Sequence, residues 1–376
     1  MARLGDLCEI FAGQGAPQGE NNYCSCNEGT PFIKAGDLSD LLSGKLENEI
    51  QCVNDIVAKQ HKLKIYPSGS ILFAKSGMSC MKGYVYRTQN PCYIVSHLAI
   101  VVPKNIDGEY LKYYFQYNKP NELIKDSAYP SISLQDISNI EITLPSLEFQ
   151  ISIVSNLNKL DKLISLRKQQ LVKLDELVKS RFIELFGDPY INDKNWAMKT
   201  FGDICTVRQG LQIPISKRLT QYEEDCYEYI TVAYLHGSKE REYIKSPKST
   251  VVCTKADILM TRTGNTGMVV TDVEGVFHNN FFLIDFDRTK YSKRFLVEYL
   301  NLNLIQTEII KRAGTSTIPD LNHGQFYAIS IYEPPLELQD QFAAFVEQID
   351  KSKFEIQKSL EKLETLKKAL MQKYFG

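Results

Sequence analysis

The sequence predicts an α+β protein with a pseudo-two-fold internal duplication, in which two β-rich globular domains are separated by two long helices packed as an antiparallel coiled coil. Three observations support this prediction. Residues 145–187 realign without a gap onto residues 334–376, and both stretches carry apolar residues at coiled-coil spacing. The blocks before them show short alternating runs broken by glycine and asparagine. A repeat of about half the chain indicates a duplicated protein, not a solenoid.

The repeat also predicts the order of domains. The first globular domain covers residues 1–145 and is followed by a central long helix at 146–187. The second globular domain covers residues 188–333 and is followed by a C-terminal long helix at 334–376. Weak echoes between the two blocks occur in the same order, which favours one ancestral unit copied once.

Within each block the pattern predicts short strands and one or two short helices. We expect helices at 108–119 and 292–312. We expect strands at 94–102, 269–272 and 281–286, where apolar residues alternate or run together.

The long helices are predicted from residues 150–186, which contain no proline or glycine, and from their second copy. A 37-residue helix would be about 55 Å long at ~1.5 Å per residue. Two such helices can bury their seams against each other; the alternative is two unrelated surface helices. The predicted seam consists of Leu157, Leu160, Ile164, Leu171, Leu174, Val178, Val346, Ile349, Ile356, Leu360, Leu363 and Leu370.

Composition narrows the class of protein. No apolar run is long enough for a membrane span and the N-terminus lacks a signal-peptide pattern, so we expect a cytoplasmic protein without membrane contact. The nine cysteines are scattered, with only Cys24 and Cys26 close together, and they predict reduced thiols without a metal or other cofactor. The net charge of −1 is unlike that of a protein that wraps DNA alone.

Two short motifs raise an enzymatic alternative. Residues 11–15 read Phe-Ala-Gly-Gln-Gly, as in turns that bind S-adenosylmethionine, and residues 188–190 read Asp-Pro-Tyr, like part of an amino-methyltransferase motif. A glycine turn is a weak signal unless a strand enters it and a long helix leaves it, and residues 18–29 do not favour a helix. The Asp-Pro-Tyr motif lies at a predicted helix end, where proline is expected.

The ordered motifs carry a resemblance to a family. They are Leu4-Gly-Asp-Leu, Ile71-Leu-Phe-Ala-Lys-Ser-Gly and Ser96-His97, followed by Pro-x-Leu-x-x-Gln at the start and Phe-Gly at the end of each long helix. Together the motifs resemble the specificity (S) subunits of type I restriction–modification systems over the whole chain.

The resemblance implies that each globular block is a target-recognition domain that reads one half of a split site in double-stranded DNA. It also implies that the paired helices fix the spacer and dock two methyltransferase (modification) subunits, and that two restriction subunits complete the enzyme. The S subunit itself would perform no chemistry. A non-catalytic coiled-coil scaffold for other proteins, or a methyltransferase in its own right, remain the alternatives.

DNA contacts are expected from polar side chains on loops at equivalent places in the two blocks. Arg262 suits a guanine and Asn265 an adenine, whereas His97 and His278 favour structural roles. The loop after the Ile-Leu strand supplies Lys75, Ser76, Ser79 and Lys82, or Arg262, Thr263, Asn265 and Thr266. The segment before the final strand supplies Tyr129 and Ser131, or Thr315, Ser316 and Thr317. Weaker candidates are Lys34, Arg208, Gln209 and Asn279.

Overall fold

The computed structural model describes residues 1–25, 28–237, 240–314 and 319–376. The chain divides into a first unit, Met1–Lys168 with Lys358–Gly376, and a second unit, Gln169–Gln357. Each unit therefore holds one globular block, the start of the long helix that follows this block and the end of the other long helix. Among the described residues, no helix is long and apolar enough to cross a membrane.

The strands of the first block are β1 (Ala2–Arg3), β2 (Cys8–Ala12), β3 (Thr30–Ile33), β4 (Cys52–Val53), β5 (Ile71–Ala74), β6 (Val85–Arg87), β7 (Tyr93–Ile94), β8 (Leu98–Pro103) and β9 (Glu141–Ile142). Those of the second block are β10 (Ala197–Thr200), β11 (Cys205–Gln209), β12 (Cys226–Ile230), β13 (Tyr243–Lys245), β14 (Val252–Cys253), β15 (Ile258–Thr261), β16 (Val269–Thr271), β17 (Gly275–Phe277), β18 (Phe281–Phe286) and β19 (Ser330–Glu333).

The α-helices in chain order are α1 (Leu4–Leu7), α2 (Asp37–Leu42), α3 (Asp55–Gln60), α4 (Gly108–Tyr117), α5 (Leu134–Ser138), α6 (Leu147–Phe186), α7 (Phe201–Ile204), α8 (Val232–Leu235), α9 (Lys293–Leu300), α10 (Asn303–Ala313), α11 (His323–Tyr327) and α12 (Leu336–Phe375). The long helices α6 and α12 were the most strongly periodic segments of the sequence, and the structure confirms both.

The two units share one sheet topology. The first unit has an antiparallel sheet in the order β2-β8-β5-β6, and the second has β11-β18-β15-β16. A smaller mixed sheet accompanies each, β4-β3-β7 in the first unit and β13-β12-β17-β14 in the second. In both small sheets one neighbouring pair is parallel, β3 with β7 and β12 with β17. The same order in both units confirms the internal duplication predicted from the sequence.

The hydrophobic core of each unit lies between the inner strands of its sheet and the helices packed on them. Every residue of β5 and of β15 is buried, because each strand lies inside its sheet with helices packed over it. In the first unit Phe73 packs on Phe115 of α4, with 5.2 Å between ring centroids. In the second unit Phe295 of α9 lies against Phe186 at the end of α6, with 4.9 Å between centroids. Burying such aromatic side chains contributes about 1.5–3 kcal/mol each.

All positions of the predicted coiled-coil seam are buried or half-buried. In the first unit Asp161 pairs with Lys367 at 2.5 Å and Lys168 with Glu364 at 3.0 Å. Residue numbers therefore rise along α6 as they fall along α12, and the two segments run antiparallel. In the second unit Asp175 of α6 pairs with Lys353 of α12 at 2.5 Å.

A buried glutamine explains the Pro-x-Leu-x-x-Gln motif at the start of each long helix. Gln150 accepts a hydrogen bond from Asp107 N at 2.9 Å and donates one to Pro145 O at 2.9 Å. Gln339 accepts from Ser292 N at 2.8 Å and donates to Pro334 O at 2.8 Å. Both amides thus tie the first turn of a long helix to the residue that precedes a short helix, α4 or α9.

The Phe-Gly ending of the long helices is also structural. Phe186 is fully buried in the second unit, and Gly187 closes the helix with a positive φ of 80°. Phe375 packs on Tyr110 of the first unit, with 5.1 Å between ring centroids. The same ending therefore anchors the end of each long helix on the globular block of its unit.

Two local predictions were wrong in detail. The expected helix at 292–312 is two helices, because Leu302 is extended (φ −62°, ψ 136°) and the amide of Asn301 caps α9 by donating to Val297 O at 2.9 Å. The expected strand at 94–102 is interrupted at residues 95–97, where Leu98 N returns to Val95 O in a turn.

Candidate nucleic-acid interface

In each unit the structure brings together two segments that are far apart in sequence. We call residues 75–82 and 262–267 the first and second strand-end loops, because they follow β5 and β15. Isolated bridges join Ser76 to Ser131 and Thr263 to Asp320. The strand-end loop therefore lies beside the segment that leads into α5 or α11, at the same place in both units.

The first strand-end loop is held through its backbone. Lys75 N donates to His97 O at 2.9 Å, and Ile132 N donates to Lys75 O at 2.8 Å. Gly77 N donates to Pro130 O at 3.1 Å, and its positive φ of 76° favours glycine at this position. Backbone bonds on both sides of Lys75 leave its side chain to project from a fixed point.

Polar side chains surround this fixed point. Ser76 Oγ and His97 Nδ1 are 2.9 Å apart, and His97 is exposed. Tyr129 is 81% exposed, and Ser131 is also exposed, so both can reach a ligand at the surface. Ser79 is half-buried in the short turn Met78–Lys82, which ends with the exposed side chain of Lys82.

The second strand-end loop repeats the same backbone arrangement. Arg262 N donates to Asn280 O at 2.7 Å, and Leu321 N donates to Arg262 O at 3.0 Å. Arg262 also makes an ion pair that the sequence analysis did not foresee. Its Nε and Nη2 donate to the two carboxylate oxygens of Asp320, at 3.0 and 2.8 Å. Only the tertiary structure joins these residues, which are 58 positions apart.

The other predicted residues of this loop differ in exposure. Asn265 is exposed and Thr263 is half-buried. Thr266 is buried, and its hydroxyl donates to Pro319 O at 2.8 Å and lies 3.2 Å from Arg262 O. Because this hydroxyl is already engaged inside the loop, Thr266 shapes the loop and is poorly placed for the direct DNA contact that we expected. Thr315, Ser316 and Thr317 lie outside the described residues.

The weaker candidates have partners inside their own units. Lys34 Nζ lies 2.5 Å from Gln51 Oε1 and 4.2 Å from the centroid of the Tyr23 ring. Arg208 donates to the backbone oxygen of residue 250 at 3.4 Å, and Gln209 donates to that of Asn279 at 3.3 Å. These contacts support the packing of the sheets as well as any role at the surface.

His278 has the environment of a structural histidine. Its Nδ1 accepts a hydrogen bond from Asn280 N at 3.1 Å, so this nitrogen carries no proton. Burial, and then the nearby Arg218, lower the pKa of His278 below its ordinary value. The ring is therefore neutral at pH 7 and helps to position residue 280, which in turn holds Arg262.

The motifs that suggested an enzyme have packing explanations. A Cβ on Gly13 would lie 2.1 Å from Val95 O, and one on Gly210 would lie 2.2 Å from Phe277 O, so both units need glycine after the first strand of the large sheet. In the described part of residues 16–29, the helical element that follows the glycines is a three-residue turn, Glu20–Asn22, whereas an S-adenosylmethionine site would need a long helix. Asp188 Oδ1 accepts from Tyr190 N at 2.8 Å within the turn that ends α6.

Within residues 1–25, 28–237, 240–314 and 319–376, no group of three or more His, Cys, Asp or Glu side chains could hold a metal ion.

Comparisons with known proteins agree with this architecture. Residues 1–176 and 193–368 each match the family model described as "Type I restriction modification DNA specificity domain". The chain is 24% identical over 377 residues to the type I restriction enzyme MjaIX specificity subunit of Methanocaldococcus jannaschii, which covers 91% of this chain and 85% of that protein. The MjaVIII specificity subunit of the same organism is 23% identical over 185 residues, covering 48% of this chain and 42% of that protein.

Two solved structures share the fold. The S subunit of a type I restriction–modification system from M. genitalium matches with a TM-score of 0.61 at 14% identity, covering 100% of this chain and 95% of that one. A chain from a study of complex assembly and conformational transition in the type I R-M system also has a TM-score of 0.61, at 17% identity, covering 100% of this chain and 96% of that one.

Proposed function

Because the chain belongs to the type I restriction–modification DNA specificity family, we propose that its two globular blocks read the two halves of a split DNA site. The chain is a type I specificity subunit, a non-catalytic component that recognises DNA for a methyltransferase and restriction complex. The observation that carries the proposal is the double match of the family model, one copy on each half of the chain.

The proposed reading surfaces are the two strand-end loops with their neighbouring segments. Both loops follow an inner strand of the same kind of sheet, so the scaffold is constant while the side chains differ. In the first unit Ser76, next to Lys75, bridges to Ser131, and in the second unit Arg262 pairs with Asp320. Because base edges are distinguished by donors and acceptors, unlike side chains at equivalent places favour unlike half-sites.

We propose that α6 and α12 set the spacer between the half-sites and dock two methyltransferase subunits. The helix repeats are better preserved than the globular blocks, as expected for surfaces that meet two copies of one partner. Each unit also carries an exposed leucine at an equivalent helix position, Leu177 at 46% exposure and Leu366 at 48%. Two equivalent surfaces fit one methyltransferase subunit on each unit.

The net charge of −1 fits an assembly in which partners share the attraction to DNA. Phosphate contacts supply much of the affinity of any DNA-binding complex, and they need Lys and Arg in excess of acidic residues. We therefore expect the isolated chain to bind DNA weakly and the complex with the methyltransferase to bind it tightly.

The test is expression of this chain with the methyltransferase subunit of its own system, followed by mapping of methylated adenines across the genome. A split motif with a fixed gap, present only when this chain is present, is the expected result. A complex that assembles but adds no new methylation would contradict the proposal and favour the scaffold alternative.

A domain exchange assigns the half-sites. Replacing residues 1–145 by the corresponding block of another family member should change one half of the motif and leave the other half and the gap unchanged. A change in both halves would contradict the assignment of one block to each half-site.

A further inference from the structure

The Arg262–Asp320 ion pair occupies one edge of the guanidinium. Arginine has five N–H donors in one plane. Asp320 takes two of them side-on, Nε at 3.0 Å and Nη2 at 2.8 Å. The end of the guanidinium carries one further N–H on each of Nη1 and Nη2, and these two are parallel. Two parallel donors at the end of an arginine match the O6 and N7 acceptors of guanine in the major groove.

We propose that Asp320 is a positioning residue that holds Arg262 to read a guanine in the half-site of the second block. The inference rests on the proposed function and deepens it, because it names a base and the two side chains that select it. The Arg262 side chain is 20% exposed and that of Asp320 48%, so the pair lies at the surface but the arginine is largely enclosed.

Backbone hydrogen bonds hold both Arg262 and Asp320 in place. Arg262 is held by its backbone N–H on Asn280 O at 2.7 Å and by its carbonyl, which accepts from Leu321 N at 3.0 Å. Asp320 N donates to Ala313 O, the last residue of α10, at 3.2 Å. The buried hydroxyl of Thr266 joins the two sides of the site through Arg262 O and Pro319 O.

This support lowers the cost of recognition. A free arginine loses about 0.5–1.5 kcal/mol of side-chain entropy when it is immobilised at an interface. An arginine already locked in plane by a carboxylate has lost most of that freedom before DNA arrives. The ion pair thereby favours the guanidinium plane that reads a base edge over the many orientations that contact phosphate.

The first unit lacks this device. Lys75 occupies the position of Arg262, and Ser131 occupies that of Asp320. An ammonium group is a point charge without a fixed plane, so it selects a base edge less sharply than a guanidinium. The rigid guanine contact is therefore expected in one half-site only.

The experiment uses the complex of this chain with its methyltransferase subunit and duplexes that carry the mapped site. Each guanine of the half-site assigned to the second block is replaced in turn by 7-deazaguanine, which lacks the N7 acceptor. At one position the complex with the natural chain should lose about 10-fold in affinity, because loss of N7 removes one of the two hydrogen bonds of the bidentate contact. The Asp320→Ser variant, which introduces the residue of the first unit, should bind the natural site less tightly and lose most of that discrimination.

A matched control removes another carboxylate from the same unit. Asp285 pairs with Arg288 at 3.5 Å on β18, and both side chains are 47% exposed. Asp285→Ser changes the net charge as Asp320→Ser does and should leave guanine discrimination unchanged. A second variant exchanges the partners, Arg262→Asp with Asp320→Arg. The exchange should restore the thermal stability of the loop without restoring discrimination at the original base.

Three outcomes would overturn the inference. One is that the Asp320→Ser variant binds every duplex more tightly and discriminates as before. Asp320 would then only weaken the attraction between the positive charge of Arg262 and DNA. Another is that the double variant Arg262→Asp with Asp320→Arg fully recovers the discrimination between guanine and 7-deazaguanine. The ion pair would then have a structural role only. The third is a mapped half-site in which no guanine responds to loss of N7. Failure of the proposed function looks different, because then no split motif is found at all.

Discussion

Replacing Gln339 by leucine should destabilise the second unit. The side chain is fully buried, and its amide makes three hydrogen bonds with backbone groups: Oε1 accepts from Ser292 N, and Nε2 donates to Lys290 O and Pro334 O, each at 2.8 Å. Leucine has a similar size and makes none of these bonds. At about 1 kcal/mol for each lost bond, the free energy of unfolding should fall by roughly 3 kcal/mol.

The assay uses the single tryptophan of the chain. Trp196 lies in the second unit and donates from Nε1 to Phe186 O at 2.9 Å, so its fluorescence reports unfolding near the end of α6. With a denaturant slope of about 2 kcal/mol per molar urea, a loss of 3 kcal/mol lowers the midpoint by about 1.5 M. Gln348→Leu, at an exposed position of the same helix, should change it by little.

The refuting result is a Gln339→Leu midpoint within error of the Gln348→Leu midpoint. It would show that the buried amide bonds contribute nothing net, and that the glutamine motif does not fix the start of the long helix. Gln150→Leu offers an independent check in the first unit, followed by circular dichroism because Trp196 lies in the second, since the Gln150 amide makes the equivalent bonds to Asp107 N and Pro145 O.

Three further predictions concern the helices, the sheets and the cysteines. Inserting seven residues after Val172 and after Gln357 keeps the coiled-coil seam in phase and lengthens each helix by about 10 Å. Mapping of methylated adenines should then find a gap longer by about three base pairs and unchanged half-sites. Altered half-sites would contradict the spacer role. Gly13→Ala should lower the free energy of unfolding in urea by roughly 2 kcal/mol or more, because the added Cβ would lie 2.1 Å from a carbonyl oxygen. Gly36→Ala should change this free energy little, because its Cβ would have nothing within 4 Å. Burial raises the pKa of the Cys205 thiol to about 12, so at pH 8 about one molecule in 10,000 carries the thiolate. The alkylation of Cys205, measured by mass spectrometry, should therefore be at least about 100-fold slower in the folded protein than in urea. Equal rates would contradict this burial.

The coiled coil was predictable because its signal is local and periodic. Residues at intervals of three and four along one helix share a face, so Leu157 and Leu160 could be assigned to a seam without knowledge of any partner. The α4 helix, Gly108–Tyr117, was predicted for the same reason. The break at Leu302 between α9 and α10 was not, since a single asparagine cap has little effect on a periodic pattern.

The candidate interface was predictable only in part. The strand-end loops could be recognised because polar residues follow a fully apolar strand at equivalent places. The burial of Thr266 could not be recognised, since it depends on Pro319, which is 53 positions away. Asp320 escaped notice for the same reason: nothing near it in the sequence marks an acidic residue as the partner of Arg262.

The sequence by itself determined that the chain is a duplicated α+β protein with two long helices, and the ordered motifs pointed to its family. These properties are carried by repeats and periodicities that need no distant contact. Only the tertiary structure decided that each unit combines the start of one long helix with the end of the other, and that Asp320 takes two donors of Arg262. The physical reason is that both depend on contacts between residues far apart along the chain, which the local pattern of a sequence does not encode.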